Sequence, residues 1–310
     1  MTAPLTIALR TDLYEAAVLA ALQNHPGYRV VAASDGDALL VLLAEAECLV
    51  ISPGSYDGAI AEAVRVAPRL RHMHLLSSGR DRIDRFGPLP DTLTVSNSAA
   101  AIGPTVAEHA MALVLGLMRQ LHGAERARAR ARWERERLVA GLRSLAGARL
   151  TLVGYGAIGA AVARMAAPFG CEIAVVRRAA TIAAEGYRTR PLDEALPETD
   201  VLVLAVPLTP ETRGLMDARR LALLPRGAIV VNVGRGGLID TEALLAALRS
   251  GQVGAAGLDV FEQEPLPEAH PLWSEPNVIL TPHLASFGHE GKGEEMGRCC
   301  LAALGARFGA

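Results

Sequence analysis

Apolar strands separated by helical segments, run through twice, constrain this chain more than any other feature. In the first round, residues 6–10 (TIALR), 28–34 (YRVVAAS), 48–52 (CLVIS) and 73–78 (MHLLSS) read as strands. Stretches such as DLYEAAVLAALQNHP and AIAEAVRVAPRL lie between them, and a short strand at 93–97 (LTVSN) closes the round. The second round starts at Ala148 and repeats the plan with RLTLVG, CEIAVV, DVLVLAV, AIVVNV, AAGLDV and NVILTP. Strands that are Val/Ile/Leu-rich throughout are buried on both faces; with helices between them, they imply parallel sheets covered on two sides. A chain of 310 residues exceeds one ordinary domain. The expected fold class is therefore α/β, with two doubly wound parallel-sheet domains.

A long helix is expected from about Thr105 to beyond Gln120. Its continuation, residues 125–137 (ERARARARWERER), carries six Arg and three Glu. Interspersed signs favour a solvated helix or a subunit-contact arm over a nucleic-acid arm. The formal net charge of -2 gives no field that would draw the protein to nucleic acid or a membrane. The most apolar helical stretch, AEHAMALVLGLM, is shorter than the roughly 20 residues that span a bilayer. The N-terminus, interrupted by Arg10, Asp12 and Glu15, lacks the form of a signal peptide. A cytoplasmic protein is the expectation. Cys48, Cys171, Cys299 and Cys300 show neither a metal spacing nor a disulfide framework. His72 and His74 alternate on one strand, but no acidic or cysteine partners cluster with them, and no metal is expected.

Gly154-Tyr155-Gly156-Ala157-Ile158-Gly159 follows a strand and opens a helix. In that setting G-x-G-x-x-G binds a dinucleotide: the first glycine makes the tight turn, the second lets backbone approach a pyrophosphate, and the third allows close helix–strand packing. The amides of the new helix, at Ala157 and Ile158, then face the phosphates. A selective NAD site places Asp or Glu after the second strand, to accept from the ribose 2′-OH. Here Arg177 and Arg178 stand there, and the nearest acidic residues are Glu172 and Glu185. Arginine pairs instead with a 2′-phosphate, so NADPH is expected to be preferred over NADH.

Further along, Arg235 follows one predicted strand, Asp259 sits near the end of another, and His283 follows the last. Ligands of open parallel sheets bind outside the carboxyl ends of the strands, which puts all three at the edge marked by the glycine turn. Taken with SSGRDRID (77–84), GPTVAEHAMALVLGLMR (103–119), VGYGAIG (153–159), VPLTPETRGLM (206–216), VNVGRGGLID (231–240), GLDVFEQEP (257–265) and TPHLAS (281–286), the chain resembles the D-isomer-specific 2-hydroxyacid dehydrogenases.

The resemblance implies a Rossmann cofactor domain, residues 99–284, inserted into a flavodoxin-like substrate domain, residues 1–98 and 285–310, with hinge segments between. It implies reduction of a small 2-oxoacid, glyoxylate or hydroxypyruvate being typical, to the D-2-hydroxyacid. His283 would be the general acid, with Glu264 as the carboxylate that helps it hold a proton. Arg235 would bind the substrate carboxylate. Backbone at Ser78 and Gly79 would also hold the substrate. Pro207 would pack the adenine and ribose side of the cofactor, and Asp259 would anchor the nicotinamide amide. A homodimer through the cofactor domain is also implied. The alternative is a non-catalytic dinucleotide-sensing protein, like the family's corepressors. Fold alone does not separate the two, though the absence of low-complexity tails favours the enzyme.

Overall fold

The computed structural model describes residues 3–177 and 186–309. Among the described residues the strands form two parallel sheets, and the chain divides into two compact units. Unit 1 is Met1–Ile102 with Gly288–Ala310, and unit 2 is Gly103–Phe287.

Unit 1 contains β1 (Leu5–Arg10), β2 (Tyr28–Ala32), β3 (Cys48–Ile51), β4 (His72–Leu75) and β5 (Thr94–Asn97), in the order β2-β1-β3-β4-β5. That is the flavodoxin-like order. Every residue of β3 and β4 is buried, as the unbroken apolar runs required. The helix Lys292–Phe308 returns the end of the chain to this unit against the helix Glu15–Gln23. The approach is close: a Cβ added at Gly293 or Gly297 would lie 2.6 Å from the Cβ of Ala17 or Ala21.

The alternating histidines of β4 have a structural use. His72 and His74 bond along β5, whose Thr94 and Ser96 they oppose in register. His72 Nδ1 is 2.7 Å from Thr94 Oγ1 and its Nε2 is 2.8 Å from Ser96 Oγ. His74 Nδ1 is 2.7 Å from Ser96 Oγ and its Nε2 is 2.9 Å from Ser98 Oγ. Thr94 Oγ1 donates its one proton to the Arg71 carbonyl. His72 Nδ1–H must then donate to Thr94, Ser96 donates to His72 Nε2, and the same tautomer repeats at His74. All four ring nitrogens are engaged with both imidazoles neutral. Burial, assisted by Arg307 at His72 and by the neighbouring ring at His74, holds both down to about 4.

Unit 2 contains β6 (Arg149–Val153), β7 (Glu172–Val176), β8 (Arg188–Thr189), β9 (Val201–Leu204), β10 (Ala228–Asn232), β11 (Val253–Leu258) and β12 (Val278–Leu280). Their order, β12-β11-β10-β9-β6-β7-β8, is the Rossmann arrangement, reversing direction between β9 and β6. The two-residue β8 has no apolar run to announce it; it pairs at the edge as Ala174↔Arg188 and Val175↔Thr189.

Two expectations about the central helices are corrected. The helix spans Ala99–Met118, 20 residues with Pro104 inside it, so it does have the length to cross a bilayer. Most of it is nonetheless buried inside the protein, with Val106, Ala110, Val114 and Leu117 in the core. The arginine-rich stretch is not one helix. Leu121–Ala129 ends where Ala131 takes φ 51°, and Arg135–Ala140 starts afresh. Ala131 N–H donates to Arg128 O at 3.0 Å and Arg132 N–H to Ala127 O at 2.9 Å. This paired closure normally ends on glycine; alanine in its place hid the stop from the sequence pattern.

The histidine ladder predicts an acid-sensitive unit 1. Unfolded, the two rings titrate near 6.5; folded, they titrate near 4. Between those values the unfolded chain binds more protons, so acid favours unfolding. The ladder's contribution is complete above about pH 6.5 and is lost as the pH falls toward 4. Each tenfold change in proton affinity is about 1.4 kcal/mol, so the loss amounts to a few kcal/mol. Thermal unfolding from pH 7 to 4.5 should show it. His72→Asn/His74→Asn should be less stable at pH 7 but have a flatter pH dependence; an unchanged slope would remove the ladder from the titration.

Candidate active site

β10, β11 and β12 lie side by side, and each delivers one polar residue at its carboxyl end. Arg235 comes three residues past β10, Asp259 directly after β11, and His283 three residues past β12. Glu264 sits in the loop after Asp259.

His283 and Glu264 form a pair. Nδ1 of His283 is 2.7 Å from Glu264 Oε2, while Glu264 Oε1 accepts the Phe261 N–H at 3.0 Å. Each carboxylate oxygen thus has its own donor, which fixes the plane of the group. A carboxylate only accepts, so the ring presents Nδ1–H to it. Nε2 is then the nitrogen able to exchange a proton with a ligand. The pair is accessible, with 46% of the histidine side chain and 37% of the glutamate side chain exposed. Apolar side chains, Phe261, Leu266, Trp273 and Leu280, line a cavity of about 690 Å³ on which both members open.

The backbone that presents His283 is unusual. Its φ is 51°, a left-handed conformation that costs a non-glycine residue about 1–2 kcal/mol. The His283 N–H is held by Asp259 O at 2.8 Å and Thr281 O at 2.9 Å. The Asp259 carboxylate is completely buried. Its Oδ1 accepts from Thr281 Oγ1 at 2.7 Å and Leu284 N at 3.0 Å, and its Oδ2 accepts from Ala285 N at 3.1 Å. Sequence reasoning expected Asp259 to face a nicotinamide amide; both of its oxygens are engaged within the loop that carries His283. Thr281 went unnoticed, although a hydroxyl two residues before the histidine was the available signal.

Arg235 stands in a partly buried loop, its Nη1 donating to Gly234 O at 2.7 Å. Asn232, almost fully buried, secures that loop: its Nδ2 donates to Arg235 O at 2.9 Å and its Oδ1 accepts from Gly234 N at 3.1 Å. A polar residue ending an otherwise apolar strand was the legible sign of this. Gly236 explains the glycines around Arg235. A Cβ there would sit 1.8 Å from the Phe261 carbonyl carbon, so the arginine loop packs directly on the backbone leading to Glu264.

The glycine turn behaves as three distinct devices. Gly154 takes φ +102°, and a Cβ would meet Ala205 O at 2.7 Å. A Cβ at Gly159 would lie 2.1 Å from Gly154 O, which forces glycine where the helix crosses the strand end. At Gly156, by contrast, that position opens onto space, with no described atom beyond the adjoining chain within 4 Å. The first and third glycines are required by the protein itself, whereas the second faces open space, as a backbone cradle for a phosphate requires. Gly156 also caps the helix Ala157–Ala166, so the Ala157 and Ile158 amides belong to the free first turn. A pocket of about 530 Å³ joins Gly154, Gly156, Arg177 and Pro207 with Tyr155, Glu211, Thr212 and Arg220. The Arg177 guanidinium stands 5.8 Å from the Tyr155 ring centre. Arg178 lies outside the described residues. These features fit a dinucleotide.

In unit 1, Ser78 and Gly79 follow the carboxyl end of β4, both half-buried. Ser77 Oγ donates to Gly79 O at 2.7 Å, and Asn97 Nδ2 to Ser78 O at 3.4 Å. Among the described residues, no three His, Cys, Asp or Glu side chains gather as metal ligands would.

Comparison with known proteins agrees with this geometry. Residues 111–285 match the family model for the NAD binding domain of D-isomer specific 2-hydroxyacid dehydrogenases. A glyoxylate reductase of Korarchaeum cryptofilum is 38% identical over 240 residues, 76% of this chain and 72% of that protein. The structure of a D-isomer specific 2-hydroxyacid dehydrogenase from Xanthobacter autotrophicus, in complex with NADPH and MES, matches with TM-score 0.81 and 32% identity over 99% of this chain and 96% of that one. An NADPH-dependent glyoxylate/hydroxypyruvate reductase from Sinorhizobium meliloti, in complex with NADP and sulfate, matches with TM-score 0.81 and 27% identity, covering 98% and 95%.

The glycines should separate by substitution. Gly159→Ala should destabilise the protein by roughly 3 kcal/mol or more, since overpacking here has only backbone to displace. Gly156→Ala should leave the melting temperature nearly unchanged and weaken reduced-dinucleotide binding by about tenfold or more, equivalent to about 1.4 kcal/mol. Thermal melts and fluorescence titrations distinguish the two, and equal effects on stability would contradict the division of roles.

Proposed function

The chain belongs to the D-isomer specific 2-hydroxyacid dehydrogenases, and from that premise we propose that it reduces small 2-oxoacids, of the glyoxylate or hydroxypyruvate type, to D-2-hydroxyacids with NAD(P)H. The observation that carries this reading is the 2.7 Å contact between His283 Nδ1 and Glu264 Oε2, at the sheet edge that also bears Arg235.

Reduction of a keto group needs a hydride on carbon and a proton on oxygen. The dinucleotide, when bound, supplies the hydride. His283 supplies the proton from Nε2 as charge develops on the keto oxygen. Glu264 holds the ring's other nitrogen, fixing its orientation and leaving Nε2 to face the ligand. Arg235 takes the substrate carboxylate with its planar fork and stabilises the developing oxyanion. We assign the backbone at Ser78 and Gly79 to the substrate as well. Gly154, Gly156, Ala157, Ile158 and Gly159 are assigned to the pyrophosphate, and Pro207 to the adenine and ribose side. Asp259 is placed at the nicotinamide end, through the loop it holds.

We further propose that NADPH is preferred. Arg177 lines the pocket of the glycine turn. Glu211, the acidic side chain of the same lining, accepts from the Thr209 hydroxyl at 2.7 Å. We also read the arm as the contact surface of a homodimer: Trp133, 90% exposed, lines one groove with Leu138 and the exposed Val139, and grouped apolar side chains in water mark interaction sites. A cytoplasmic enzyme without nucleic-acid or membrane partners completes the reading.

Oxidation of NADPH and NADH, followed by absorbance with a panel of 2-oxoacids, tests the function. Turnover of glyoxylate or hydroxypyruvate is expected; tight dinucleotide binding without turnover of any 2-oxoacid would favour a sensing role instead. His283→Ala should lower kcat by about 10²–10⁴-fold with dinucleotide affinity retained. Arg235→Lys should not restore the loss seen in Arg235→Ala, because a point charge lacks the fork. Arg177→Ala should cost about 10–150-fold in kcat/KM for NADPH, the scale of a charge-assisted hydrogen bond of about 1.5–3 kcal/mol, and little for NADH. Equal loss with both cofactors would remove Arg177 from 2′-phosphate recognition.

A further inference from the structure

His109 lies on the helix Ala99–Met118, half-buried and remote in sequence from the loop that carries His283. Its Nε2 is 2.9 Å from Thr281 Oγ1 and 3.5 Å from Asp259 Oδ1. The Thr281 hydroxyl has one proton, and the 2.7 Å contact with Asp259 Oδ1 uses it. The carboxylate, which already accepts from the Leu284 and Ala285 amides, has no proton to give. His109 must therefore be the donor, with its proton on Nε2. Donation runs in one direction: from His109 to Thr281, from Thr281 to Asp259, and from the loop amides to the same carboxylate.

The local packing places this contact. Gly257 and Asp259 share one face of the β11 strand end, two residues apart, and His109 and Leu113 share one face of the helix, four apart. A Cβ on Gly257 would lie 3.0 Å from Leu113 Cβ. The glycine lets the helix come down onto the strand, and one turn further along His109 reaches the carboxylate.

We propose that His109 is a positioning residue for the reduction: by donating to Thr281, whose hydroxyl in turn donates to Asp259, it fixes the 281–285 loop and thereby aims the imidazole of His283. The proposal rests on the dehydrogenase reading for its catalytic consequence, but not for its effect on the loop. A misplacement of about 1 Å can cost about 10²-fold in rate. His109→Leu, of similar bulk without the donor, should therefore lower kcat by about 10–100-fold. KM for the dinucleotide should stay within about twofold, since the glycine turn and its pocket are untouched.

Three measurements test it together. In His109→Gln an amide donor can reach Thr281, and most of the lost kcat should return. In a double-mutant cycle, adding His109→Leu to His283→Ala should cost little further, because His109 acts through His283; independent action would multiply the losses. Amide exchange in peptides covering 281–287 should rise in His109→Leu and return toward wild type in His109→Gln, with β10 unaffected. Full kcat in His109→Leu, multiplicative losses in the cycle, or unchanged loop exchange would each overturn the proposal. Should the wild-type protein reduce no 2-oxoacid, the dehydrogenase reading fails, while the exchange data still decide whether His109 holds the loop.

Discussion

A carboxylate removed from water is costly unless its oxygens find donors, and the donors it recruits become fixed in turn. Asp259 works in this way. Completely buried after β11, it gathers the Thr281 hydroxyl and the Leu284 and Ala285 amides, while its own carbonyl takes the His283 N–H. These bonds hold His283 in a left-handed conformation that a histidine does not favour by itself. The reactive ring thus extends from a loop defined by one buried charge. Glu264, reaching the ring from a different loop, sets the remaining rotation.

The Arg235 loop joins this arrangement through backbone contact. With Gly236 against Phe261, the turns after β10 and β11 pack backbone to backbone. The chain's most reactive side chains therefore share one closely packed edge, which suits a reaction in which small displacements are costly. The glycine turn follows a different logic. Gly154 and Gly159 are glycines because the protein leaves no room, whereas Gly156 borders open space. Only the last is explained by a ligand rather than by the fold.

Much of this is legible in the sequence. Parallel sheets followed from unbroken apolar strands, because burial on both faces leaves no polar alternation. The sheet edge that bears Arg235, Asp259 and His283 followed from their places after successive strands. What stayed hidden depended on partners far apart in sequence. His109 reads as a core histidine until Thr281, 172 positions away, is placed beside it. His72 and His74, from which no metal site was expected, show no use until the hydroxyls of Thr94, Ser96 and Ser98 take their nitrogens. The break at Ala131 was missed because alanine does not advertise the left-handed turn that ends its helix. The two-residue β8 forms by pairing with β7 rather than by any pattern of its own.

The central claim is that this edge reduces a keto group, with hydride delivered to its carbon and a proton to its oxygen. Following the hydride itself is the most direct measurement. Dinucleotide carrying deuterium at C4 of the reduced nicotinamide, on the transferred face, should be incubated with glyoxylate and, separately, with hydroxypyruvate in ordinary water. The account predicts one deuterium on C2 of each product, the D-enantiomer from hydroxypyruvate, and none on oxygen once the product is returned to water. Product whose C2 hydrogen comes from solvent, or bound dinucleotide that never transfers its label, would contradict it.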